Sequence, residues 1–245
     1  MKKVFGFIIL VCFAFFVFNN ISQTNNIVED NQIPDYTEVN EEPNVNEETE
    51  TTQNEVVEVK HYEPIHHSQE AVDYFNTICR GSEFGSGNEI SKWKGDVNVY
   101  VIGEKRPYLM NELKSVVSEL NSYIDPININ FVNSKSDANF IVLFGSAQDY
   151  VDFEPYAKDY VSNNWGLFTV NSGPVIYDAN MYVDIERCNE IDAQKHLIRE
   201  EFTQALGFKQ DSYDYPKSMF YQGWTTTTKY APIDIEIIKM LYNEQ

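Results

Sequence analysis

The chain is poor in basic residues: 18 Lys and Arg stand against 38 Asp and Glu, a formal net charge of −20 over 245 residues. Nothing in it forms a basic stripe that could track phosphates, so no nucleic acid partner is expected. Cysteine is scarce. Cys12, Cys79 and Cys188 lie at separations that make no metal-site spacing. Histidine is scarcer still for its chemistry: of four, His61, His66 and His67 crowd into one short stretch and only His196 lies further on. The one glycine-rich stretch, residues 81–87, follows a helical pattern and not a strand, so it reads as a loop and not a phosphate cradle. There is no nucleophile elbow, no dinucleotide fingerprint and no internal repeat.

Long apolar runs are missing except at the start. Lys2 and Lys3 precede an apolar run over residues 4–18, the layout of an export signal. The run is short of the roughly 20 residues a spanning helix needs, yet no small-x-small cleavage site follows. Residues 1–20 are therefore a signal peptide or an uncleaved signal anchor, which would then hold the chain to the membrane. Cys12 follows Val11, a poor start for a lipoprotein site. Residues 21–65 hold most of a stretch with twelve acidic residues and one lysine between positions 19 and 65. Such a composition cannot bury enough apolar surface to offset ordering entropy, and predicts a disordered acidic linker. The folded part is expected over 66–245, in an exported protein that is either secreted or anchored to the membrane. With Cys12 in the signal segment, Cys79 and Cys188 are left either as one disulfide or as two buried thiols.

Within 66–245, Ser68 reads as an N-cap before a helix that Gly81 ends. Residues 96–101 alternate as a strand. Pro107 starts a helix with Leu109, Leu113, Val116, Val117 and Leu120 at helical spacing. Strands follow over 127–132 and 138–144, then a short helix or irregular insert over 150–161. Strands over 166–170 and 175–183 flank an Asn-Ser-Gly-Pro turn. A helix runs over 190–206 and a last one starts at Pro232. This order predicts an α+β domain built on one sheet.

The helix ending E-E-F-T-Q-A-L-G over 200–207 carries the chemistry. Ile198, Phe202, Ala205 and Leu206 share its apolar face. Glu200 and Gln204 stack at i and i+4, the spacing that places two metal ligands on one side of a helix. Gly207 would end the helix with positive φ and return Gln210 and Asp211 to the same face. His196, one turn before Glu200, reads as an exposed helix histidine. The alternative for the whole set is that Glu200 and Glu201 are helix-surface charges and Gln204 a satisfied polar residue.

Residues 200–210 resemble the metzincin pattern H-E-x-x-H-x-x-G-x-x-H with its histidines replaced: E-E-x-x-Q-x-x-G-x-x-Q. The resemblance implies Glu201 as the general base and Glu200, Gln204 and Gln210 at the metal positions. It also implies a supporting turn at Ser218, Met219 and Phe220, with Phe220 where metzincins carry methionine. The closing residues 232–242 are similar to the metzincin C-terminal helix. The implied fold is zincin-like: a mixed sheet with a backing helix, an active-site-like helix and a C-terminal helix. Glu-Gln-Gln is a poor zinc set, so zinc is doubtful and a harder divalent ion is the other candidate.

More specifically, 200–212 with Ser218 and Phe220 resemble the bacterial family called domain of unknown function 2927, marked by E-E-x-x-Q-x-L-G, an N/Q-D-S step and an S-x-F turn. Phe75, residues 82–84, Lys92-Trp93 and Ala138-Asn139 are similar to its earlier segments. The family places Asp211 in the motif as an additional acid. The expected function is that of a divergent metallopeptidase-like envelope protein with Glu201 as base-like residue. The alternatives are a non-catalytic zincin-like domain binding peptide or cell-envelope glycan, or a structural envelope domain.

Overall fold

The computed structural model describes residues 15–16, 67–80 and 89–243. The linker 21–65, most of the signal segment, the glycine-rich loop 81–87, His61 and His66 lie outside the described residues. Phe15–Phe16 forms a two-residue strand, β1. α1 (Gln69–Phe75) starts at Ser68, whose hydroxyl accepts from Ala71 N, and a π-helical turn (Asn76–Arg80) prolongs it. β2 (Lys92–Trp93) and β3 (Val97–Gly103) follow. α2 (Pro107–Tyr123) starts at proline, whose fixed φ suits a first helical position. It buries Leu109, Leu113, Val116, Val117 and Leu120, the stripe its periodicity predicts.

β4 (Ile129–Phe131), β5 (Phe140–Gly145), α3 (Ala147–Phe153), β6 (Gly166–Val170), β7 (Val175–Ile176) and β8 (Ala179–Asp184) complete the middle of the chain. α4 (Ile191–Gln204) and α5 (Pro232–Asn243) close it. The six-stranded sheet runs β1-β6-β8-β5-β3-β4. β4, β3, β5 and β8 pair in parallel, and β6 is antiparallel to β8. The fold is thus α+β on a mixed sheet, with the expected order of backing helix, motif helix and C-terminal helix. The single strand expected over 175–183 is interrupted: Val175–Ile176 leaves to pair with Lys92–Trp93, and Asn171 Oδ1 takes the amides of Tyr177 and Asp178.

Strand alternation sorts the core into two layers. Val97, Val99, Val101, Phe140, Val142, Phe144, Phe168, Met181 and Val183 belong to the cluster that holds α2, α4 and α5. Leu143, Leu167 and Tyr182 belong to a smaller cluster with Tyr150 of α3. Among the described residues no helix is long and apolar enough to cross a membrane.

α4 is buried on every side. From Ala193 to Gln204 only Lys195 is not fully enclosed. Its sequence is nevertheless half polar, so each buried polar group needs a partner. Two side chains complete its C-terminal carbonyls: Trp93 Nε1 donates to Ala205 O at 3.1 Å and Tyr242 OH to Leu206 O at 2.6 Å. Gly207 has φ +125, and a Cβ there would run into the Ser91 carbonyl. Its glycine therefore serves both the backbone turn and a close approach.

Candidate functional site

The polar residues of α4 divide between three environments. Arg199 turns toward α2, donating to Glu112 Oε1 at 2.8 Å and to Glu119 Oε2 at 2.8 Å, with its guanidinium 4.9 Å from the Tyr230 ring centre. Glu201 turns toward the sheet. It is fully enclosed, and lies so close to Gly166 of β6 that a Cβ there would stand 2.8 Å from Glu201 Cγ and collide with Oε1. His196, Glu200 and Gln204 share the third side, at successive i+4 positions.

On that side the chain beyond Gly207 folds back over the helix. Gln204 Nε2 donates to Asp211 Oδ1 at 2.7 Å, which leaves Gln204 Oε1 buried without a hydrogen-bond partner. His196 Nδ1 stands 2.8 Å from the Thr227 carbonyl. A carbonyl only accepts, so Nδ1 carries the proton, and Nε2 is bare in the neutral ring. Nε2 faces Glu200 Oε2 at 3.5 Å. Burial drives the imidazole pKa down to about 4; the Thr227 bond opposes this and Arg199 adds to it. Burial pushes the Asp211 carboxyl the other way, up to about 7, against the pull of the Gln204 hydrogen bond.

His196, Glu200 and Asp211 line one small cavity with Tyr221, Trp224 and Thr225. Its aromatic wall reaches the surface. Trp224 is 45% exposed and packs edge-on against Trp165 at 5.7 Å, and Tyr213, 62% exposed, packs edge-on against Tyr221.

The turn below is held by Asp234, the buried acid of α5. It accepts from Ser218 Oγ at 2.5 Å, Met219 N at 2.9 Å and Ala231 N at 2.8 Å. Tyr74 OH lies 2.7 Å from Ser218 Oγ. Phe220 stacks on Phe208 at 5.1 Å, and its backbone pairs with Ser212.

Several expectations change in this light. His196 is not exposed: it is enclosed, and burial disfavours its charged form. Glu200 and Glu201 are not surface charges. Gln204 and Asp211 are hydrogen-bonded, and Glu200 and Asp211 line one cavity. Gln210 is half-buried and Glu201 faces β6, and neither lines the cavity. Cys79 and Cys188 are both free and buried and form no disulfide. Each thiol sits in its own packed site, Cys79 after α1 and Cys188 after β8, and burial raises both thiol pKa values, that of Cys188 to about 11. His67 lies against α5, with Nδ1 3.1 Å from Glu236 Oε1.

A metzincin-type metal does not fit these residues as they stand. The NH₂ end of Gln204 is committed to Asp211, and among the described residues no three His, Cys, Asp or Glu side chains converge on one point closely enough to hold an ion. Sequence reasoning missed the weight of His196, Thr227, Trp224 and Asp234. Only Asp234 carried a signal, its place in the closing pattern.

The family model for "Protein of unknown function (DUF2927)" matches residues 68–245. The chain belongs to the DUF2927 family. A search of curated proteins finds no match. Among solved structures, two of myroilysin overlap this chain at TM-scores of 0.43 and 0.41, with 14% and 13% identity. They cover 63% and 62% of this chain and 83% and 86% of myroilysin.

Proposed function

We propose that the DUF2927 domain of this chain is a non-catalytic binding domain on a peptidase-like frame, offering its small polar cavity to a peptide or glycan of the cell envelope. The apolar N-terminal run and acidic linker support export to that compartment. The observation that carries the reading is the separation of Glu201 from the cavity. A general base has to lie within hydrogen-bond reach of the water it activates. Glu201 instead packs against Gly166, while Glu200, Asp211 and His196 line the cavity without it. Aromatic side chains with one face packed and one face wet, such as Trp224 and Tyr213, suit a recognition surface.

The test is turnover of a panel of denatured-protein and peptide substrates by the full chain and by Glu201→Gln, with and without added zinc or calcium. The reading expects no turnover above background in either protein, and a change in unfolding temperature only. Hydrolysis by the wild type that Glu201→Gln abolishes would overturn it in favour of a divergent peptidase.

A further inference from the structure

The segment that covers the cavity is aromatic and uncharged. Between Lys217 and Lys229 the chain reads S-M-F-Y-Q-G-W-T-T-T-T, without one charged residue, in a sequence where 23% of residues are charged. The cavity walls hold two acids, Glu200 and Asp211, and no lysine or arginine. An anionic ligand would meet no compensating charge there. Tyr221 and Trp224 line the cavity, and each is met edge-on by a second ring: Trp224 by Trp165 at an interplanar angle of 89°, Tyr221 by Tyr213 at 86°. In an edge-on pair only one ring gives up a face, so each pair keeps ring faces for another partner. Trp224 and Tyr213 are the exposed members. Tyr221 is held in place from below, because its ring lies so close over Gly223 that a Cβ there would collide with Cε1. The glycine thus allows the ring to lie back on the chain.

Between and beside these rings stand neutral polar groups. Among the described residues the side chains of Gln222 and Thr226 make no hydrogen bond within the protein. An amide and a hydroxyl can each donate and accept. A sugar ring has the matching chemistry: C–H groups that lie flat on an aromatic face, and hydroxyls around its edge that donate and accept. A peptide backbone is held best by adding to a strand edge, and residues 222–228 belong to no strand.

Resting on the binding reading above, we infer that the rim formed by Trp165, Tyr213, Tyr221, Gln222, Trp224 and Thr226 binds a neutral glycan, with one sugar ring stacked on Trp224. Of the two ligand classes in that reading, the rim favours the glycan over the peptide.

The experiment titrates the full chain with two neutral sugars, chitotetraose and cellotetraose, followed by calorimetry and by tryptophan emission. Of the three tryptophans Trp93 is buried, so a change in emission on binding reports Trp165 and Trp224. The controls are tetragalacturonate, an acidic sugar of the same length, and the neutral peptide acetyl-tetraalanine-amide. The site expects at least one neutral sugar to bind with a shift in emission. Its affinity should fall about tenfold in Trp224→Ala and several-fold in Gly223→Ala, which displaces the Tyr221 ring. Trp224→Phe, which keeps a ring face, should recover part of the loss. Tetragalacturonate should bind more weakly by about tenfold. Equal sugar affinity in wild type and Trp224→Ala would overturn the stacking site, and equal binding of tetragalacturonate would overturn its preference for neutral chains. No binding of either neutral sugar at about 10 mM would overturn the inference, and binding of the peptide in their place would do so while leaving the binding reading standing. Cleavage of the peptide would sink the non-catalytic reading and not the stacking of the sugar.

Discussion

Asp211 and His196 are displaced in opposite directions by the same burial. Between pH about 4 and 6.5 the unfolded chain holds a proton on His196 and none on Asp211, whose ordinary values are 6.5 and 3.8. The folded chain holds it on Asp211 and not on His196. The proton count is equal, so the two contributions to the pH dependence of stability cancel across that window. Each single variant exposes the other residue. Asp211→Asn leaves a histidine with a depressed pKa, whose contribution is lost as pH falls, so stability rises from about pH 4 to 6.5. His196→Gln leaves a carboxyl with a raised pKa, whose contribution is lost as pH rises, so stability falls from about pH 4 to 7. The slopes approach about 1.4 kcal/mol per pH unit. Chemical denaturation at several pH values reads them as differences from wild type, and parallel curves for all three proteins would refute the assignment. At β6, Gly166→Ala forces a methyl group into Glu201 and is expected to cost about 2 kcal/mol. Equal denaturation midpoints for Gly166→Ala and wild type would show that Glu201 is not packed there.

At the scale of elements, α4 joins α2 to the sheet through Arg199. Arg199→Met removes the buried guanidinium from Glu112 and Glu119, and should destabilise by about 2–3 kcal/mol. The lower end is expected because Glu119 is a third exposed and its pairing screened by solvent. Urea denaturation measures it, and a neutral change would mean that the bridge is dispensable. The elements themselves were mostly legible. The stripe of α2, the Ser68 cap and the apolar run of β5 follow from local sequence alone. The break between β7 and β8 was not, because it depends on Lys92–Trp93, about 80 residues earlier, claiming Val175–Ile176. Nor was the burial of the polar side of α4. Periodicity marks which residues of a helix are apolar. It does not show that a segment without periodicity, residues 213–230, will cover the polar ones with Thr227, Trp224 and Tyr230. The motif spacing put Glu200 and Gln204 on one side of the helix, and the turn at Gly207 was expected to return both Gln210 and Asp211; neither could show that only Asp211 reaches the cavity or that Glu201 turns to the sheet.

For the molecule as a whole, the acidic balance divides into a linker that carries about half of the net charge and a folded unit that buries several acids. In that unit Gln204 is hydrogen-bonded to Asp211, and His196 to the Thr227 carbonyl. Cross-links contribute nothing within it, since Cys79 and Cys188 are free. Unfolding temperatures with and without dithiothreitol should coincide, and a drop of several degrees under reduction would reveal a disulfide. The state of the His196 ring tests the account most directly. The chain has four histidines, so nitrogen-15 NMR of the imidazoles, assigned with His196→Gln, isolates it. The prediction is a neutral ring with its proton on Nδ1 and a bare Nε2 from pH 8 down to about 5. A His196 that titrates near 6.5 like an exposed imidazole, or carries its proton on Nε2, would contradict the buried cluster on which the account rests.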